Sequence, residues 1–550
     1  MFKRIVCCLL IIALALAIGN IGFIPTVDAT DNKKEETKVF DTATKDDDFV
    51  DNRVMVVLSH EESLKFKSYS AKDFPEIACK SVKNLSTAAA EKVQAKLRGE
   101  IPEDLDVNAA FMYRNVKVDT FKTILSLELE NPGKENVLKA VRALEKREDV
   151  YYVGPDYIIP LDISPELSAS DVSRGPVLPE IEPDPEPSIP EDVGWGEEAI
   201  ELDAFWQNLT GNTNIMVGVV DTGINASHPD LRGKVNTSLS CDFVNDGVSP
   251  TTDPHGHGTH VAGIIGGSRN NSFGIQGVCP NVTFVSLRVI YEETFLLYEI
   301  PYTTAAIVAD AIDYAQSNNI HILNLSINTD CEMGQASLNI ALANYSGLVV
   351  CAAGNRSCDC DVMPNYGSYP AMAEDHINDN IISVGAGTIQ NTVASYSNYG
   401  LTTVDLFAPG TNIASCYPKS LCAYSGCTDS RHISYGYHYN SGTSMAAPFV
   451  TGVAALMLSL DNSLTSSEIK ELIIDNVKEY SAFAGKCVSG GLLNARNIFS
   501  LHSFHGNNYI YYVPVSSVKH QKRCEKCSYM IMQPHALDEN GRCVLCSYPD

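Results

Sequence analysis

Three short stretches carry residue types that together could perform nucleophilic acyl transfer. An apolar run ends in the carboxylate of Asp221, and a glycine-containing turn follows. His257 opens the segment HGTHVAG and leads into an Ala/Gly/Ile stretch that reads as a helix. Ser444 lies where the small-residue loop Ser441-Gly442-Thr443 opens into an apolar helix reaching about Leu460. A serine hydroxyl alone is a weak nucleophile. It needs a base that takes its proton and later returns it to the leaving amine. An aspartate behind the imidazole fixes its tautomer and stabilises the imidazolium. The order Asp, His, Ser is one of the known orders of such a triad. A serine near a helix N-terminus also gains a dipole that favours developing negative charge. Pro448 falls within the first turn or so of that helix, where a missing N–H is tolerated. Singly, these residues read as a buried aspartate, a satisfied histidine and a helix-cap serine. The ordered set reads as a catalytic site.

The segments DTGINASHPDL, HGTHVAG and GTSMAAPFVTG resemble, in order, the three signatures of the subtilisin-like (subtilase) serine peptidases. The resemblance covers roughly residues 195–500. It implies triad roles for Asp221, His257 and Ser444, a structural role for His260, and a place for His255 along the approach. VVCAAGN (349–355) is similar to the family strand that ends in an oxyanion asparagine, which implies that role for Asn355 beside the backbone N–H of Ser444. Losing one such donor costs on the order of 10²–10³ in kcat, a magnitude established on subtilisin itself. ILNLSIN (322–328) resembles the strand whose edge pairs with substrate, which implies contacts from Ser326, Ile327 and Asn328. The family often has glycine where Asn328 stands, so no substrate preference is copied across. NSFGI (271–275) resembles a calcium-wrapping loop, with Asn271 and Asp230 as ligands; the other reading is a polar turn. No cofactor is expected for catalysis.

The elements that must position these residues follow from pattern and composition. Repeated strand–helix alternation over 195–500 predicts an α/β fold, a mostly parallel sheet with helices on both faces. Residues 30–161 read as a smaller α+β unit. Its predicted strands are Arg53–Ser59, Phe121–Leu129 and Val150–Val153, and its predicted helices Thr87–Arg98 and Val137–Glu148. This unit is similar to the inhibitor-type propeptide of subtilases, and the resemblance implies an intramolecular inhibitor. Between the two, residues 162–194 form an acidic, proline-rich linker. Twelve acidic residues and one basic residue over 162–202 keep it extended and solvated.

The first 29 residues carry Lys3 and Arg4, an apolar run over 5–18 and a small-x-small site at Val27-Asp28-Ala29. They read as a cleaved signal peptide, the other reading being a retained anchor. Gly19, Asn20 and Gly22 interrupt the run before it reaches the ~20 apolar residues of a span. No later segment is expected to cross a bilayer, so the mature chain is expected to be secreted or on the cell surface. In an exporting context the remaining cysteines read as disulfides or metal ligands. In the tail, 501–550, Cys524-x₂-Cys527 and Cys543-x₂-Cys546 match zinc-ribbon spacing, with disulfides as the other option.

The chain carries 40 Lys+Arg against 67 Asp+Glu, a net charge of −27. That balance opposes binding to nucleic acid or to anionic membranes. The expected protein is a monomeric, secreted serine endopeptidase, made as a self-processing proenzyme and acting on polypeptides. The competing reading is a catalytically silent subtilase fold serving in adhesion or binding. Silent members of such families usually lose at least one of the triad residues or the asparagine, and none is missing here.

Overall fold

Strands that are apolar at every position need cover on both faces, and this chain supplies it. The computed structural model describes residues 38–101, 105–160, 194–202, 209–295, 298–327, 335–362, 379–422, 432–434, 436–499, 509–514, 519–524 and 530–534.

The N-terminal part is built from β1 (Phe49–Leu58), β2 (Cys79–Asn84), α1 (Thr87–Arg98), α2 (Val107–Arg114), β3 (Ile124–Leu129), α3 (Lys134–Leu144) and β4 (Val150–Pro160). These four strands are antiparallel in the order β2-β3-β1-β4, and a short fifth strand, Val39–Phe40, pairs parallel with β4. Helix α1 has the predicted bounds and stops at Gly99, whose φ of 67° is a left-handed C-cap. Helix α3 buries Val137, Leu138, Ala140, Val141 and Leu144 along one face. Helix α2 and strand β2 were not legible in the sequence. Strand β4 runs seven residues past the predicted Val153, because its far end has a partner distant in sequence. Ile158, Ile159 and Pro160 pair with Thr304, Thr303 and Tyr302.

The larger part begins with β5 (Met216–Asp221), β6 (Cys241–Asp242), α4 (His257–Gly266), β7 (Thr283–Arg288), β8 (Tyr291–Phe295), β9 (Tyr298–Thr304) and α5 (Ala305–Ser317). It continues with β10 (Ile322–Leu325), α6 (Gln335–Asn344), β11 (Leu348–Ala352), β12 (Ile381–Gly387), β13 (Leu406–Pro409) and β14 (Ile413–Cys416). Then come β15 (His432–Ser434), β16 (Tyr437–Asn440), α7 (Thr443–Leu460), α8 (Ser466–Asp475), β17 (Lys478–Glu479) and β18 (Gly491–Leu492). Among the described residues the main sheet has nine strands in the order β17-β18-β13-β12-β11-β10-β5-β7-β6, parallel throughout except at β17–β18. The chain starts this sheet at β5, builds β7 on one side, then returns to build β10 to β13 on the other. The carboxyl ends beside β5 are therefore the switch point where α/β sheets place ligands.

Helix α7 is long and apolar enough by composition to cross a membrane, contrary to the expectation that no segment beyond the leader would be. It is 89% buried, and its apolar surface is spent on the sheet and on α4. Beyond it, the described parts of the tail form a three-stranded antiparallel sheet, β19 (Tyr509–Pro514), β20 (Lys519–Cys524) and β21 (Met530–Pro534).

Three histidines are held neutral inside this fold. His228 donates from Nε2 to the Gly436 carbonyl (2.7 Å), and His260 to those of Ile413 and His438 (3.0 Å each). His321 accepts the Met216 N–H at 3.0 Å. Burial pushes them down to about 4, about 3 and about 4 respectively. The unfolded chain protonates imidazole near pH ~6.5, so below that pH it binds more protons than the folded chain, and stability falls. Asp230 and Asp313, both pushed up to about 6 by burial, act in the opposite sense between about pH 6 and 4. Asp156, also raised by burial, adds to the carboxyl side, but the three imidazoles, joined by Glu62, whose burial two lysine partners overcome to hold it at about 2, outweigh it. The urea midpoint of the Ser444→Ala protein is expected to fall between about pH 7 and 4.5. A flat or rising midpoint would contradict this account.

Candidate functional site

Asp221 terminates β5 and is fully buried. Its Oδ1 accepts the N–H of Thr222 at 2.7 Å. Gly223 then turns the chain at φ 126°, where a Cβ would lie 2.3 Å from the Thr252 carbonyl. Only glycine fits both demands. His257 is the first residue of α4, and its Nδ1 lies 2.8 and 3.0 Å from the two oxygens of Asp221. The next residue must also be glycine, because a Cβ on Gly258 would sit 2.2 Å from the Gly223 carbonyl. The glycines of the two segments thus let the aspartate turn and the histidine helix touch. The far nitrogen of His257, Nε2, is buried and has no hydrogen-bond partner.

Ser444 is the second residue of α7 and is fully buried. Its Oγ donates to the Ser326 carbonyl at 3.1 Å, and Ser326 Oγ donates back to the Ser444 carbonyl at 2.9 Å. Pro448 explains the second bond. A helix would satisfy the Ser444 carbonyl with the N–H of residue 448, which proline lacks. Pro448 thus lies in the second turn, slightly deeper than expected. Asn324 holds Ser326 Oγ at 2.8 Å and is itself held by Thr451 at 2.8 Å. The end of β10 and the serine helix are therefore pinned together.

Asn355 follows β11. Its Oδ1 accepts the N–H and the hydroxyl of Thr443 at 2.9 and 3.0 Å. This fixes the amide with Nδ2 turned away, buried and unpartnered. A Cβ on Gly442 would lie 3.7 Å from both Asn355 Nδ2 and the Ser444 nitrogen. Two N–H donors therefore flank a space that the absent side chain keeps open. An oxyanion on a carbon bonded to Ser444 Oγ is the kind of group such a space accepts.

Comparison with known proteins agrees with this geometry. Residues 212–495 match the family model described as "Subtilase family". The chain belongs to the subtilase family, a family of serine endopeptidases. It is 34% identical over 304 residues to the "Thermophilic serine proteinase" of Bacillus sp. (strain AK1), covering 55% of this chain and 66% of that protein. It is 32% identical over 378 residues to the "Thermostable alkaline protease" of Halalkalibacterium halodurans, covering 66% of this chain and 93% of that protein. Against "Thermitase" of Thermoactinomyces vulgaris the identity is 32%, covering 55% of this chain and 94% of that protein.

Other expected sites of this subtilase fare differently. Ser326 and Ile327 follow β10 and are buried beside Ser444, while Asn328 lies outside the described residues. His255 lies near the histidine helix, its ring centre 6.3 Å from that of His257.

Asp230 and Asn271 do meet, at 2.6 Å, but through the amide N–H of Asn271. The Tyr437 hydroxyl (2.9 Å) and the Ile275 N–H (3.2 Å) donate to the other oxygen. Calcium takes six to eight oxygen ligands. Here hydrogen donors face the carboxylate, so as arranged these residues make a hydrogen-bonded buried acid and do not fit a calcium cage. Ligand atoms of His228 and Cys416 lie within 4.8 Å of Asp230. Both nitrogens of His228 are already engaged, Nε2 by Gly436 and Nδ1 by the Asp230 N–H. The cluster is core structure.

The expectation of pairing or metal ligation is also corrected at Cys241, Cys279, Cys351, Cys416 and Cys487, which like the lone Cys79 are unbonded thiols. Most are buried as small apolar residues in separate elements. Burial pushes Cys279 up to about 12, so it is inert. Of the tail cysteines, Cys524 ends β20, and Cys527, Cys543 and Cys546 lie outside the described residues.

Sequence reasoning missed Asp253, which the fold folds in beneath His257. It stands in a Thr-Thr-Asp-Pro-His loop that reads as an ordinary turn.

The donor pair beside Gly442 gives a direct expectation. Gly442→Ala puts a methyl between the donors and imposes a φ of 150° that L-residues avoid. The kcat of this variant on a peptide substrate is expected to fall about 100-fold, with KM little changed. An unchanged kcat would mean that the space plays no part in the reaction.

Proposed function

We infer that this chain is an exported endopeptidase, made as a self-processing proenzyme, that cleaves polypeptides through an acyl-enzyme on Ser444. One observation carries the reading. Two atoms of the expected catalytic set, the acceptor His257 Nε2 and the donor Asn355 Nδ2, are buried and unpaired. Leaving such atoms unpaired costs on the order of 1–3 kcal/mol each, a cost that a reacting substrate would remove.

The steps follow from these atoms. The Ser444 hydroxyl turns from the Ser326 carbonyl to His257 Nε2. As Oγ bonds to the scissile carbonyl carbon, its proton passes to Nε2. Asp221 holds the Nδ1 proton and stabilises the imidazolium. The former carbonyl oxygen, now negative, takes hydrogen bonds from Asn355 Nδ2 and the Ser444 N–H. The C–N bond then breaks, and Nε2 delivers its proton to the leaving amine. Water repeats the sequence with His257 as base and frees the acid. No metal is needed at any of these steps.

The N-terminal part suits an intramolecular inhibitor. Strand β4 joins β9 in one sheet, so the two parts share backbone hydrogen bonds. Asp156 accepts the N–H of Ala306 at 2.9 Å, and Asp313 of α5 accepts those of Ala88 and Ala89 at 3.1 to 3.3 Å. The linker, residues 162–194, would then contain the processing point, and residues 1–29 the export signal. The tail, its cysteines holding zinc or forming disulfides, would serve as a small accessory or surface-interaction module.

The test is intact mass of the secreted protein after fluorophosphonate treatment, beside Ser444→Ala. The expected result is one adduct on a shortened wild-type chain and an unlabelled, full-length variant. A fully processed wild-type chain without an adduct would overturn the reading.

A further inference from the structure

The glycines and threonines of the segments DTG and HGT meet at a carboxylate that belongs to neither. Asp253 is 5% exposed and receives five hydrogen bonds. Its Oδ1 accepts the Thr222 hydroxyl (2.8 Å) and the N–H groups of His255 (3.1 Å) and Gly256 (2.7 Å). Its Oδ2 accepts the N–H (2.8 Å) and the hydroxyl (2.7 Å) of Thr259. Every contact is a donor pointing at Asp253, which therefore acts as an acceptor only, as an ionised carboxylate does. Two of the five bonds, from Thr259, tie the loop to the first turn of α4, the turn that carries His257, and two more, from His255 and Gly256, shape the loop just before it. The fifth reaches across to the residue after Asp221.

Thr222 is the link. Its hydroxyl accepts the Gly258 N–H at 3.0 Å and has one hydrogen to give. Two acceptors compete for it, Asp253 Oδ1 at 2.8 Å and Asp221 Oδ1 at 3.2 Å. The closer of the two carboxylates is Asp253, and the hydrogen goes there. Asp221 Oδ1 is left with the Thr222 N–H and His257 Nδ1. The negative charge that must hold an imidazolium is thus not weakened by a second hydroxyl donor.

We propose that Asp253 is a positioning residue for the reaction, which acts through the Thr222 hydroxyl to orient and electrostatically support the Asp221–His257 pair. This rests on the triad reading given above. The titratable groups around His257 are Asp221 on β5, Asp253 and His255 in the preceding loop, and His260 one turn along α4. His438 on β16 lies behind His260. Only Asp253 among them is joined to Asp221 by a single hydroxyl. Replacing its carboxylate with an amide removes a nearby negative charge and frees the Thr222 hydrogen to turn towards Asp221. Both changes disfavour protonated His257.

The experiment is the pH dependence of kcat and KM for the processed enzyme on a peptide substrate, with active sites titrated by fluorophosphonate. Asp253→Asn is expected to lower kcat about tenfold, leave KM within about twofold, and move the lower limb of the profile to lower pH by about half a unit or more. Thr222→Val should lose a similar factor in kcat, and the double variant should lose little more, because both break one link. Thr222→Ser keeps the hydroxyl and should restore the wild-type profile. An unmoved limb in Asp253→Asn would overturn the proposal, as would losses that multiply in the double variant. If Asp253→Asn does not mature, the Thr222→Ser and Thr222→Val pair decides: equal profiles for the two would also overturn it. A wild-type enzyme that takes no fluorophosphonate would instead sink the triad reading.

Discussion

The constraint on which the site depends is that the Asp221 carboxylate and the His257 imidazole are bonded to each other out of contact with water. A buried carboxylate is tolerated only when donors surround it. The fold answers by bringing a strand end and a helix start into van der Waals contact, which is why both following segments need glycine. Gly223 and Gly258 do not supply flexibility here. They supply the absence of two Cβ atoms in one crowded place. The parallel sheet sets the rest, because Asp221, Ser326 and Asn355 all stand at or just beyond the carboxyl ends of neighbouring strands.

The other buried histidines show what sets His257 apart. His228, His260 and His321 bond to backbone groups in an apolar interior, and burial keeps them neutral. His257 has a carboxylate on one nitrogen and nothing on the other. A proton arriving on Nε2 meets a negative partner across the ring. Only that arrangement lets an imidazole shuttle a proton without leaving an uncompensated buried charge. Composition could not separate these four residues, since each sits beside small and apolar neighbours in the sequence.

What was legible in the sequence was local. Helix α1 has its predicted ends because Gly99 caps it, and the segments around Asp221, His257 and Ser444 announce themselves because chemistry and close packing fall within a few consecutive residues. What was not legible depended on distant partners. Strand β4 seemed to end before Gly154-Pro155, yet it continues because β9 offers hydrogen bonds to its far end. Helix α2 was hidden by its shortness, eight residues, although Asp106 accepts the Ala109 N–H at 2.8 Å as its cap. Asp230 and Asn271 were correctly paired but wrongly equipped, because spacing predicts proximity and not which atom of an amide faces a carboxylate. Asp253 escaped for the opposite reason. Its sequence neighbourhood is that of a common turn, and its meaning lies in Thr222, thirty-one residues away.

The two parts of the chain are joined by an exchange of helix caps. Helix α1 has no capping bond from its own Ser86, and the carboxylate of Asp313 from α5 takes its first N–H groups instead. Helix α5 is capped by Thr304 at Ile307, and its Ala306 N–H is taken by Asp156 from β4. Each part therefore leaves one helix start for the other to complete. Burial pushes both carboxyls up, so the exchange is made at a desolvation cost that the N–H groups and the Arg53 guanidinium on Asp156 offset. Orphan N–H groups at a helix start carry partial positive charge, and a carboxylate placed there is stabilising. Separating the parts would undo both caps at once, along with the β4–β9 pairing. The junction thus combines polar groups that neither part can satisfy alone with a shared apolar core, in which Met55, Val57, Leu85, Phe111, Met112 and Ile124 pack with the larger part.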